Sequence, residues 1–201
     1  MGGFSEVKNL TVRAYLAELA ADSLFPSAGA AAALTGAQAA ALFAMVCRVN
    51  LRKLKKKGQA GREDVETGST ATGRERKGEG GGCSFWQKML ERSEAYLRRC
   101  LELAQADGLA YREVVDGNPQ GPAHALEIPL QVAECSRETA YLIERALPES
   151  YAPVRADAET ALHLARGSKK AALAVARHNL ALLSSQSERE NYVNKIVFLE
   201  T

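Results

Sequence analysis

A chain of 201 residues suits one domain with a sizeable core, or one domain carrying a long unstructured insertion. Its 26 basic and 24 acidic residues nearly cancel, so the charge balance gives no reason to expect a nucleic-acid or membrane-surface partner. Few aromatics, abundant Ala and Leu, and long proline-free runs between Phe85 and Asp116 and between Asp157 and Ser187 exclude a strand-rich fold and predict an all-α protein. No apolar run reads as a membrane span and the N-terminus lacks a signal-peptide layout, so a soluble, cytoplasmic protein is expected. Cys47, Cys83, Cys100 and Cys135 form no CxxC pair, and His124, His163 and His178 are scattered, so no metal is expected. Three of the cysteines fall in helical patterns, and Cys83, in a Gly-rich stretch, is expected to be exposed.

A short first helix is predicted from Thr11 to Asp22, with Val12, Tyr15, Leu16 and Leu19 on one face, and Phe25-Pro26 ends it. Pro26-Ser27-Ala28-Gly29 then opens a helix of very small side chains, Gly29 to Leu54, with Leu34, Ala37, Ala41, Met45 and Val49 as its apolar face. Such a helix can approach a partner or a flat ligand closely, and its unpaired N–H groups offer a cradle for an anion or carbonyl; a serine-capped, tightly packed helix start explains the same residues. The last turns carry Arg48, Arg52, Lys53 and Lys55–Lys57, cations that complement a helix C-terminus. From Gly58 to Gly82 the composition turns to Gly, Ser, Thr and charge, which predicts a disordered insertion in an otherwise single domain spanning 1–201.

A third helix is predicted from Phe85 to Val115, with a seam of Leu97, Cys100, Ala104, Asp107, Tyr111 and Val114; a fourth follows from Ala123 to Ala146, with Pro129 either in its first turn or kinking it. After Pro148 and Pro153 a fifth helix runs from Val154 to Leu183, its seam reading Asp157, Ala161, Leu164, Ser168, Ala171, Val175, Asn179 and Leu182. A short terminal helix covers Ser187 to Leu199. About five long helices with short connections make an antiparallel bundle.

Asp107 and Asp157 stand on faces that should be buried, where a carboxylate must be paired, hydrogen-bonded or line a wet pocket. Either residue could serve as an acid/base group or hold a cation; either could be structural. Asp157, one turn after Pro153, fits a helix-capping role, whereas Asp107 lies mid-helix, where capping is not expected. Asn179 reads as an interhelical hydrogen-bonding residue or a contact to a heterocycle. Ser27 has no histidine partner in sequence context, which weakens a serine-nucleophile mechanism.

Four places together resemble the cyclodeaminase/cyclohydrolase family: Pro26-Ser27-Ala28-Gly29 entering the Ala-rich helix, Ala106-Asp107-Gly108-Leu109-Ala110-Tyr111, Ile128-Pro129-Leu130-Gln131-Val132-Ala133, and Ala156-Asp157 with His178-Asn179-Leu180. That family includes the cyclodeaminase domain of formiminotransferase-cyclodeaminase and the methenyltetrahydrofolate cyclohydrolases. The resemblance implies a helical homodimer with a folate site between subunits, and a one-carbon enzyme acting on 5,10-methenyltetrahydrofolate or 5-formiminotetrahydrofolate. It casts Asp107 as the base, Asp157 and Asn179 as orienting groups, Ser27 and Gly29 as substrate contacts, and Arg48, Arg52 and Lys53 as holders of a folate polyglutamate tail. The small-residue face from Ala30 to Ala44 would permit close contact with a second copy. The family's turn is usually Pro-Gly-Gly-Gly-Ser, and the asparagine often found before a valine of the final helix is here Ala174. A non-catalytic helical dimer acting as a binding or scaffold protein is the alternative those departures favour.

Overall fold

The computed structural model describes the backbone at positions 6–66 and 76–201, and side chains there except at 58, 60–66 and 76–80. Among the described residues the protein is all-α, with α1 (Val12–Leu19), α2 (Ala28–Glu66), α3 (Arg76–Val115), α4 (Gly121–Ala146), α5 (Arg155–Asn179) and α6 (Gln186–Glu200), and no strand. Thr11 starts α1 by accepting the Ala14 N–H at 3.1 Å, and Ser185 starts α6 by accepting that of Glu188 at 3.3 Å.

Side-chain links fix the bundle's directions. Ser27 to Asp107 and Arg48 to Glu94 run α2 against α3; Arg99 to Gln131 and Arg92 to Glu138 run α3 against α4; Ser136 to Ser168 and Arg166 to Glu144 run α4 against α5. In each pair one number rises as the other falls, the signature of antiparallel neighbours. One end of the bundle is packed from Ala33, Leu103, Leu126, Ala133, Leu173 and Ala176, covered by Tyr192, Ile196 and Leu199 of α6. The other end is packed from Phe43, Trp86, Leu142, Ile143, Ala161 and Ala165.

Small side chains let four helices meet between these halves. A methyl on Gly36 of α2 would stand 2.9 Å from Ser168 Oγ, 3.0 Å from Ser136 Oγ and 3.2 Å from Cys100 Sγ. Ser168 Oγ lies 2.7 Å from Ser136 Oγ and donates to the Ala32 carbonyl at 2.7 Å, and Ser93 Oγ donates to the Ala40 carbonyl at 2.7 Å. These hydroxyls are satisfied inside the bundle, which is why serine is tolerated in its middle.

Several expectations need correcting. Helix α2 runs to Glu66 rather than Leu54 and α3 begins at Arg76 rather than Phe85, so helical backbone occupies 58–66 and 76–82 of the segment expected to be disordered; 67–75 lies outside the described residues. Cys83 is half-buried on α3. Ala28–Lys57 is long and apolar enough by composition to cross a membrane, contrary to the sequence reading, but 61% of its apolar window is buried inside the bundle. Ala30, Ala33, Ala37, Ala40 and Ala44 are buried against α2's own neighbours, so that face is spent within the chain and is not open to a second copy. The buried face of α5 is centred on Ala158, Ala161, Leu162, Ala165, Ser168, Ala172 and Ala176, turned by about one residue from the expected seam.

Candidate active site

The start of α2 docks against the last third of α3, and Asp107 is the joint. Ser27 holds the cap position, its carbonyl accepting the Ala31 N–H at 2.9 Å. Its hydroxyl turns away from its own helix and donates to Asp107 Oδ2 at 3.0 Å, and the Ala30 N–H donates to the same oxygen at 3.0 Å. Asp107, in the last third of α3, therefore supplies the carboxylate that caps a different helix, a role the sequence reading set aside. The negative charge faces the positive end of the α2 dipole, which favours it.

Two glycines make the docking possible. A Cβ on Gly29 would lie 1.9 Å from Asp107 Oδ1, and one on Gly108 would lie 2.4 Å from the Phe25 ring. Pro26-Ser27-Ala28-Gly29 and Ala106-Asp107-Gly108 are thus two sides of one contact. The Val7 N–H donates to Gln105 Oε1 at 2.9 Å and closes the N-terminal segment over it.

Burial raises the proton affinity of Asp107 above the ordinary carboxylate value, and the Ser27 and Ala30 hydrogen bonds offset this in part. Tyr15 on α1 senses that charge: its phenol is raised above the ordinary value first by burial and then by Asp107. Its hydroxyl is buried without a hydrogen-bond partner, one of two such side-chain groups among the described residues. Sequence reasoning placed Tyr15 on an apolar face and missed it as a site residue, since periodicity reports the ring and not where its hydroxyl points.

The other candidates are dispersed. At 1.5 Å per residue Arg48 lies about 30 Å along α2 from Ser27, with Arg52 and Lys53 beyond it. Arg48 pairs with Glu94 at 2.5 Å, and Lys53 sits 4.1 Å over the Tyr151 ring. Asp157 is in the first turn of α5, at the far end of the bundle from Asp107, and favours that helix's dipole without a side-chain cap bond. Asn179 returns to the Asp107 end, but its Nδ2 donates to the Ala125 carbonyl at 2.7 Å. That carbonyl is the one released by Pro129, which lies inside α4 and lacks the N–H that would bond four residues back. Asn179 repairs α4, which is the interhelical role.

Two clefts open elsewhere, one of about 400 Å³ between α4 and α6 lined by Leu130, Gln131, Glu134, Lys195 and Phe198, the other of about 310 Å³ lined by Arg137, Tyr141, Glu144, Arg166 and Lys169. Neither contains Asp107 or Ser27. We place the candidate site at Asp107 because there, among the described residues, a part-buried carboxylate reaches from one helix onto the N-terminus of another.

The structure is similar to that of a formiminotetrahydrofolate cyclodeaminase from Thermotoga maritima, with a TM-score of 0.78 and 18% identity, covering 96% of this chain and 90% of that one. At that identity the likeness speaks for the fold. Among curated proteins, none matches the sequence. The family model for formiminotransferase-cyclodeaminase matches residues 11–197, almost the whole chain and all four motif regions. The chain belongs to the formiminotransferase-cyclodeaminase family.

Proposed function

We propose that the protein binds a reduced folate and acts on its one-carbon group, hydrolysing 5,10-methenyltetrahydrofolate or releasing ammonia from 5-formiminotetrahydrofolate, with Asp107 as the proton acceptor. The observation that carries this reading is the part-buried Asp107 carboxyl, held by Ser27 and the α2 N-terminus with its proton affinity raised. The methenyl carbon is an electron-poor amidinium centre. A water attacking it must shed a proton, and a carboxylate with raised affinity is a stronger base for that proton than a solvated one. Its charge also favours the cationic ring. A second copy of the chain would complete the site, since Val12 and Leu24 (77% and 68% exposed) and Leu109 leave apolar surface around the Phe25–Gly108 contact. A tetrahydrofolate derivative is the substrate in this reading, with or without a polyglutamate tail.

The alternative is a non-catalytic dimer, favoured by one observation: Asp107 and Asn179 both spend hydrogen bonds on the bundle itself. The experiment that separates the two incubates the purified chain with each substrate and follows loss of the methenyl absorbance or release of ammonia. Turnover by the native chain supports the enzyme. Folate binding without turnover supports the scaffold, and neither binding nor turnover overturns the folate reading.

A further inference from the structure

Cys100 on α3 and Cys135 on α4 are free thiols that the packing of the two helices brings together. Gln131, Cys135 and Glu138 share one stripe of α4, since side chains four and three residues apart stand above one another on a helix. The outer two bond Arg99 and Arg92, so this stripe faces α3 and Cys135 lies between the two bonds. Cys100 is the residue next to Arg99. From the side of α2, a methyl on Gly36 would stand 3.2 Å from Cys100 Sγ and 3.0 Å from the Oγ of Ser136, the residue after Cys135. Cys100 and the turn that carries Cys135 therefore meet at one point of the bundle, and there the Cys100 S–H donates a hydrogen bond to the Cys135 sulfur. Cys100 is fully buried, whereas Cys135 is only half-buried.

We propose that Cys100 and Cys135 are a redox-sensitive pair, which a hydroperoxide converts into a disulfide tying α3 to α4. Cys135 is the attacking sulfur because solvent reaches it. The Cys100 hydrogen bond lowers its proton affinity, burial opposes this, and the Arg99 charge adds to the lowering. Its S–O bond forms as the peroxide O–O bond breaks, and the thiol's proton leaves with the departing oxygen, so Cys135 becomes a sulfenic acid. The Cys100 sulfur then displaces that hydroxyl: the S–S bond forms, the S–O bond breaks, and the hydroxide takes the Cys100 proton and leaves as water. The two sulfurs lose two electrons and the hydroperoxide gains them. A thiol reductant reverses the link. The pair stands apart from the folate reading, and Cys100 lies two turns before Asp107 on the helix that carries it.

The test uses the full native chain, reduced, exposed to hydrogen peroxide, unfolded in the presence of iodoacetamide and digested with trypsin, which cuts at Arg112 between the two cysteines. In mass spectra the Cys100 and Cys135 peptides should appear joined, two hydrogens lighter than their sum, and should separate on reduction. Cys47, buried on α2 with its thiol pushed up to about 12 by that burial, is the internal control and should be recovered alkylated. Recovery of both Cys100 and Cys135 alkylated, of Cys135 as a sulfinic acid beside alkylated Cys100, or of either joined to Cys47 or Cys83 overturns the proposal. The oxidised chain should also unfold at higher urea than the reduced one, because the link restricts the unfolded chain, and dithiothreitol should abolish the gain. An unchanged midpoint overturns the tie between α3 and α4. Cys100→Ser removes the resolving thiol, so dimedone should label Cys135 in the peroxide-treated variant, and a Cys135 left unlabelled overturns its role as the attacking sulfur. The link itself is read on the native chain, so the outcome does not depend on whether that variant folds.

Discussion

Gly29 and Asp107 are in contact so close that the position of a Gly29 side chain is already occupied by the carboxylate, with Oδ1, Cγ and Oδ2 all within 2.8 Å of where a Cβ would stand. The glycine is there to admit a group from another helix, and the family's glycine-rich turn acquires a physical reason at this one position.

Replacing Gly29 with Ala sets two effects against each other. Alanine favours helix by about 1 kcal/mol over glycine. Against this, the carboxylate must move off the α2 N-terminus and forfeit two hydrogen bonds, each worth about 1.5–3 kcal/mol when one partner is charged. The expected net is a loss of about 2–5 kcal/mol, read from the urea midpoint at constant slope. A variant as stable as the parent would show that the carboxylate can swing aside without loss.

Asn179 and Pro129 form a second pair, and a double-mutant cycle tests it. Asn179→Ala leaves the buried Ala125 carbonyl without its donor, a loss of about 1–3 kcal/mol. In a Pro129→Ala background the backbone N–H at 129 returns and can bond that carbonyl, so the same Asn179→Ala change should do markedly less harm. Equal losses in both backgrounds would disconnect the two residues.

The long helices were legible because their signal is local: the residues that terminate α1, start α4 and break α4 from α5 act on their immediate neighbours. What escaped was whatever depends on another helix. Asp107 looked uncapped mid-helix because the terminus it caps belongs to α2, eighty positions away. The seam of α5 came out turned by a residue because Ala is weakly informative about facing, and Ala fills that helix. The cationic run at Arg48 to Lys53 was grouped with the site by chemistry alone, whereas the 1.5 Å rise of α2 carries it to the other end of the bundle. The contact of Ser27 and Gly29 with Asp107 was reachable only through the joint occurrence of the two motifs.

A homodimer remains part of the proposed function, on different surface from the buried Ala face. Val12, Leu16, Leu24, Leu109 and Val115 are exposed apolar residues at the Asp107 end. Leu24→Glu with Leu109→Glu should shift sedimentation equilibrium at micromolar protein from dimer toward monomer while circular dichroism stays the same. A native chain that sediments as a monomer would remove the second copy from the site.

Asp107 also predicts the pH behaviour, with opposite signs for activity and stability. The base works when ionised, so turnover should rise with pH through a midpoint above the ordinary carboxylate range, because burial raises the Asp107 proton affinity. Stability goes the other way. The folded protein holds this proton more tightly than the unfolded chain, so Asp107's contribution is greatest below its unfolded value near 3.8 and is lost as pH climbs through the raised folded value. Asp107→Asn cannot titrate there, so the stability of native relative to variant should fall with rising pH across that window and then level off. Helical content of the variant should match the native chain, and turnover should drop by about two orders of magnitude or more. A native profile that already plateaus in the ordinary carboxylate range, or a variant as active as the parent, would move the base elsewhere and leave Asp107 as the carboxylate that holds α2 to α3.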